Sequence, residues 1–219
     1  WDLRNAAESS GAAIFAAVWN QLLAQTFRDD LPEDQWPTGR GRWFDVVGNM
    51  VDDPLDPFWD DVTTPQTETR DDIIKASFAA AVEGLTSTLG DDPEAWRWDA
   101  IHRAHFVNPA FGDTGIGLVD DRFNRGPVPV AGGADLVTAA GWDATEGFEV
   151  DWLPSMRMLV DLGDLANSLA VHTTGQSGHV DHPHYDDMIP LWQEGRFSPM
   201  LWHRSEIERN AESVQMLIP

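Results

Sequence analysis

The chain has 219 residues, 37 acidic against 14 basic, a formal charge of −23 and 42 % hydrophobic content. That charge excludes a nucleic-acid binder that neutralises phosphates and disfavours docking on anionic membranes, since both need clustered Lys and Arg. Eleven Trp and 10 Phe exclude a solvated disordered tail, and the absence of Cys removes disulfides, thiolate nucleophiles and Cys-type metal sites.

Asp outnumbers Glu 26 to 11, and Lys75 is the only lysine. Short, strongly hydrated carboxylates without Lys suit a surface kept soluble in concentrated salt, where screening blunts mutual repulsion, so a salt-rich environment is expected. No run approaches the roughly 20 apolar residues of a membrane span, and the first residues lack a secretory signal pattern, so a soluble chain is expected. The chain starts at Trp1 rather than Met, which reads as a processed product or a piece of something longer.

Ile14, Phe15, Val18, Trp19, Leu22, Leu23 and Phe27 recur at helical spacing, which predicts a helix with these residues in the core, N-capped by Ser9 or Ser10 and ended before Pro32. Residues 29 to 69 are interrupted by Pro32, Pro37, Pro54, Pro57 and Pro65. They hold a short predicted helix over 43–51, with Trp36, Trp43, Phe44, Phe58 and Trp59 as anchors. A second long helix is predicted over 71–89, with Ile73, Ile74, Phe78, Ala81, Val82, Leu85 and Leu89 on one side, acids in its first turn and Gly90 as its stop. Residues 1–95 therefore read as a helical segment of two antiparallel helices.

Residues 96–219 read as a loop-rich segment with antiparallel strands. Gly112 to Gly133, including GPVPVAGG, is expected to be loop. Strands are predicted over 148–153, 157–162 and 168–173, the last two joined as a hairpin by GDLAN, with short helical pieces over 189–196 and 205–215.

GPVPVAGG has no lysine to meet a phosphate, and Ser177 in GQSGH misses the G-x-S-x-G spacing because His179 takes the last position. His179, Asp181, His182, His184, Asp186 and Asp187 form the densest polar cluster. A self-standing acidic metal-binding or interaction domain using it is the alternative reading, against a polar loop whose histidines cap carbonyls. His102 and His105 stand as a possible ligand pair or as histidines satisfied by backbone.

SMRMLVDLGD at 155–164, GQSG at 175–178, PHYDD at 183–187 and LWQEGRF at 191–197, preceded by WRWDAIH at 96–102 and PVPVAGG at 127–133, closely resemble the C-terminal end of the penicillin acylase (penicillin amidase) family. His182 and Asp99 depart from that pattern, where a serine and a glycine are usual. The resemblance implies an α+β chain: the C-terminal portion of an N-terminal-nucleophile αββα sandwich, and of the larger subunit of an amide hydrolase. It implies a serine nucleophile, an oxyanion hole and calcium ligands all upstream of this chain, so no catalytic residue, metal or cofactor is expected here. The partners implied are the smaller subunit, the upstream part of the larger subunit and, for the whole enzyme, a small-molecule amide; a periplasmic or secreted location is implied as possible. The residues implied to stand behind the reacting groups are Asp151, Arg157 and His102. Asp151 lies in a V-D-W stretch similar to one in which some cephalosporin acylase relatives carry an acid that orients a histidine; a solvated strand-end aspartate is the other reading.

Overall fold

The computed structural model describes residues 1–218 and opens with helix α1, Ser10–Phe27. Ser9 caps it, its hydroxyl accepting from the Ala12 N–H at 3.1 Å. Buried on α1 are Ala12, Ala13, Ala16 and Ala17 together with Trp19, Leu23 and Phe27, whereas Phe15, expected in the core, is 38 % exposed. The difference has a packing cause. The helix partner of α1 is α3, Arg70–Leu89, and alanines spaced one turn apart bring two helix backbones close while the bulky stripe flanks the contact.

Helix α2 covers Arg42–Val51, within a residue of expectation. Trp19 stacks on Phe44 with centroids 4.3 Å apart, Phe27 packs on Trp43 and Phe58, and the Trp36 and Trp59 indoles donate to the Leu31 and Asp53 carbonyls. These contacts anchor the proline-interrupted stretch as its aromatic content predicts. At the start of α3 the Asp72 carboxylate accepts from both the N–H (3.1 Å) and the hydroxyl (2.6 Å) of Thr69. Gly90, at φ 93°, ends the helix where a side chain would be strained. Ile73, Ser77, Ala81 and Leu85 form the buried ridge of α3. Ile74 and Phe78, expected inside, point outward, Phe78 being 52 % exposed.

After α4 (Trp98–Ile101) come β1 (Arg103–Phe106), α5 (Gly117–Phe123), β2 (Arg125–Pro129), β3 (Gly141–Trp142) and β4 (Val150–Trp152). The sheet order is β2-β1-β4-β3, with β1 and β4 parallel and the other pairs antiparallel. The stretch expected to be loop between Gly112 and Gly133 thus carries the whole of α5 and of β2. Pro127 and Pro129 are tolerated because β2 is an edge strand, where a missing N–H leaves no ladder gap. Gly141 is required by close approach, since a Cβ there would overlap the Trp152 indole.

The chain divides into two compact units, the first Trp1–Leu153 and the second starting at Pro154. In the second, β5 (Met156–Leu159) pairs antiparallel with β6 (Leu169–His172) from Met156↔His172 to Leu159↔Leu169, the hairpin that the sequence predicts. Its turn holds a short 3₁₀ segment, Leu165–Asn167, where the Asp164 carboxylate accepts from the Ala166 N–H. Helix α6 (Ile189–Gln193), β7 (Ser198–Pro199) and α7 (Arg204–Asn210) follow, β7 pairing with β6. The whole is α+β, and no helix among the described residues is long and apolar enough to cross a membrane.

Candidate functional site

The turn Gly39-Arg40-Gly41 is pinned on both sides. The Gly39 carbonyl accepts from the Trp19 indole at 3.0 Å, and the Gly41 N–H donates to Asp135 Oδ2 at 2.7 Å. Both glycines have positive φ, 85° and 21°. Held between them, the Arg40 guanidinium pairs with the carboxylate of Asp151 in β4 and lies 6.0 Å from the Trp152 ring. Asp151 is thus an ion-paired residue with a side-chain exposure of 32 %. Its partner is an arginine about 110 residues earlier in the chain. Sequence reasoning missed Arg40, and its one signal there is the arginine set between two glycines in TGRGRW.

His102 has no solvent exposure. Its ring stacks on Trp98 at 4.2 Å and meets Trp142 edge-on at 5.7 Å. Nδ1 donates to the Phe148 carbonyl at 2.7 Å, and Nε2 lies near the Ala140 backbone without a well-formed hydrogen bond. Burial pushes the imidazole down to about 4, against the pull of the Phe148 and Ala140 backbone. The neighbouring indoles are fixed in turn: Trp98 donates to the Gly132 carbonyl, and Trp142 to the Asn20 amide, which itself donates to the Gly147 carbonyl. His105 does not join His102. It faces Glu149 at 3.2 Å, so the two histidines do not form a ligand pair. Asp99, a departure from the family pattern, is held by both forks of Arg97, at 2.9 and 2.7 Å.

In the second unit Arg157 of β5 lies over the Trp192 ring at 4.5 Å and donates to the Trp192 carbonyl at 2.9 Å. Burial lowers its guanidinium from the ordinary value. Arg157 thereby fastens α6 to the hairpin.

The histidine loop is closed on itself. His179 Nδ1 accepts from the Asp181 N–H and His182 Nδ1 from the His184 N–H, while the His184 ring lies between Asp187 (2.7 Å) and Glu212 (3.1 Å). Hydrogen bonds to those carboxylates raise the His184 imidazole above its ordinary value. The predicted carbonyl caps are replaced here by histidines accepting from N–H groups. Among the described residues no group of three or more His, Asp or Glu is arranged to hold a metal ion.

A profile of the penicillin amidase family matches residues 1–209, and the chain belongs to that family. Among curated proteins it is 32 % identical to the acyl-homoserine lactone acylase QuiP of Pseudomonas aeruginosa, over 95 % of this chain and 27 % of that protein. It is 28 % identical to the penicillin acylase 2 proenzyme of Pseudomonas sp. strain SE83, over 68 % of this chain and 18 % of that protein. A solved thermostable penicillin G acylase from Alcaligenes faecalis aligns with 96 % of this chain and 38 % of its own at 16 % identity and a TM-score of 0.41. The chain spans about a quarter of the length of the curated acylases it matches over 95 % of its residues.

Proposed function

We propose that this chain is the C-terminal part of the larger subunit of an acylase that hydrolyses N-acyl amides, acyl-homoserine lactones first among them. The observation that carries the reading is the family match from residue 1 to residue 209, in a chain a quarter as long as its relatives. The relatives aligned over 95 % of the chain carry the name acyl-homoserine lactone acylase, which favours that substrate over a penicillin.

The reaction needs a hydroxyl nucleophile on an N-terminal residue whose free α-amine serves as base. A serine upstream of Trp1 takes that part. Its Oγ bonds to the amide carbonyl carbon, its proton passes through the amine to the leaving nitrogen, and the C–N bond breaks to give an acyl ester. Water then cleaves the ester, releasing the carboxylic acid and regenerating the serine.

The part of this chain is support: its strands belong to the sandwich that holds the nucleophile, since sub-ångström placement of reacting groups controls rate. Asp151, Arg157 and His102 act as positioning residues, Asp151 through Arg40, Arg157 through Trp192 and His102 through its two indoles. Producing the chain alone and the precursor with its upstream sequence, and assaying both on an N-acyl-homoserine lactone and on penicillin G, tests the reading. The precursor is expected to cleave the lactone substrate and the chain alone to cleave neither; hydrolysis by the isolated chain overturns the reading. Within the precursor, Asp151→Asn is expected to lower kcat, and an unchanged rate removes Asp151 from the site.

A further inference from the structure

The strands of the second unit form a sheet with two unlike faces. Successive side chains alternate across a strand, and residues directly opposite in a pair share a face. Met156 stands opposite His172, Met158 opposite Ala170, and Ala170 opposite Ser198, so these residues lie on one face. Met200, two residues past Ser198, continues it. Arg157 and Val171 belong to the other face, where Arg157 reaches the buried Trp192 of α6.

The methionine face borders a cavity of about 380 Å³ whose wall includes Ala170, His172, Met188, Ser198, Met200 and Trp202. Its two methionines are tied to the ends of β6. The Met188 N–H donates to the Thr174 carbonyl and the Met200 N–H to the Ser168 carbonyl, each at 2.8 Å. Both bonds engage the backbone and leave the thioether lone pairs available. Among the described residues the wall contains no Asp, Glu, Lys or Arg. All of the wall comes from residues 170 to 202, so the ligand set is local to this unit and is fixed by neither end of the chain.

We propose that this cavity binds a soft monovalent metal ion of the copper(I) or silver(I) class, held by a His172 ring nitrogen and the Met188 and Met200 sulfurs, with the Trp202 ring as a further contact. Thioether and imidazole suit copper(I), whereas magnesium, calcium and manganese prefer carboxylate, carbonyl and water oxygen. A neutral ligand set also favours a single charge, since a dication would lose its water with no carboxylate to compensate. An aromatic face attracts a cation lying over it, and the charge of −23 concentrates cations around the molecule. Met156, across the strand pair from His172 with Cβ atoms about 5 Å apart, supplies another thioether at the rim. Metal binding here is a property separate from amide hydrolysis and stands independently of it.

The test is an NMR titration of this chain, observed at its methionine methyl groups, with silver nitrate in chloride-free buffer, silver(I) being the redox-stable probe. One equivalent of Ag⁺ is expected to shift the Met188 and Met200 signals and to leave those of Met50 and Met216 in place. Zn²⁺ at the same concentration is expected to move none of them. Met188→Leu, Met200→Leu and His172→Gln are each expected to weaken Ag⁺ about tenfold or more, since even a change behind a metal's ligands costs that much. Met-to-Leu swaps conserve volume, so those variants keep the fold. His182→Gln, in the separate histidine loop, is expected to leave Ag⁺ binding intact. The precursor with its upstream sequence is expected to bind Ag⁺ with the same sensitivity to Met200→Leu. Ag⁺ binding unchanged in the two methionine variants, binding lost in His182→Gln, equal shifts with Zn²⁺, or a site present in the chain and missing from the precursor overturns the proposal.

Discussion

A neutral histidine sealed among indoles ties the fold to pH. In the folded chain His102 titrates at about 4 rather than at 6.5, and burial is the cause. Between those values the unfolded chain holds a proton that the folded chain does not, so stability rises with pH across this interval. The contribution is fully present above pH 6.5 and is lost as pH falls toward 4. At 1.36 kcal/mol per pH unit it amounts to about 3 kcal/mol. Chemical denaturation at steps between pH 4 and 7 should show this slope, and His102→Asn, whose amide can still donate to the Phe148 carbonyl, should flatten it. A variant with the wild-type slope would move the titrating group elsewhere. Besides its place behind the reacting groups by family resemblance, the sequence left His102 two environments, a ligand paired with His105 or a ring satisfied by backbone. The structure gives it the second environment, because α4 sets His102 one helical turn after Trp98, so that its ring stacks on that indole, while His105, on β1, reaches Glu149.

Among the elements, the pair of α1 and α3 is where periodicity was most informative and where it misjudged the faces. Spacing located both helices, α3 to within a residue, and of the expected caps Ser9, one of two candidates, starts α1 and Gly90 stops α3. The buried face was harder to read because hydrophobicity ranks Phe15, Ile74 and Phe78 above alanine, yet all three are exposed. Close helix packing instead selects small residues: Ala13 is fully buried and Ala81 nearly so. Ala13→Leu should therefore destabilise the first unit by about 1–3 kcal/mol through overpacking, whereas Phe78→Ser on the outward face should change stability far less. Thermal unfolding of the two variants decides it, and equal losses would contradict the assigned faces. The short strands β1 and β2 escaped notice for a different reason. Four or five residues, two of them proline in β2, carry no legible period, and their pairing is long-range. The link from Arg40 to Asp151 was hidden likewise, since no local pattern encodes a contact across about 110 residues.

At the scale of the molecule the charge separates into two physical parts. Asp53, Asp56, Asp61, Asp92, Asp143, Asp161 and Asp164 each accept a hydrogen bond from the N–H two residues further on. That geometry suits the short Asp side chain. Part of the excess of Asp over Glu is therefore turn chemistry, required in a chain whose connections are long and irregular. It does not account for the total: 37 acids face 14 bases, so most carboxylates have no cation to pair with. Exposed charges repel over the Debye length, about 30 Å at 0.01 M salt and about 3 Å at 1 M, and the compact state suffers that repulsion more than the expanded one. The melting temperature should accordingly rise steeply as KCl goes from 0.01 to 1 M. If the chain works in concentrated salt, the melting temperature should hold or keep rising beyond 1 M, where screening is already complete and only hydrated-carboxylate and excluded-salt effects continue to act. Thermal scans across that series separate the two parts. A melting temperature that falls above 1 M would leave turn chemistry as the main reason for the aspartates and remove the salt-rich setting.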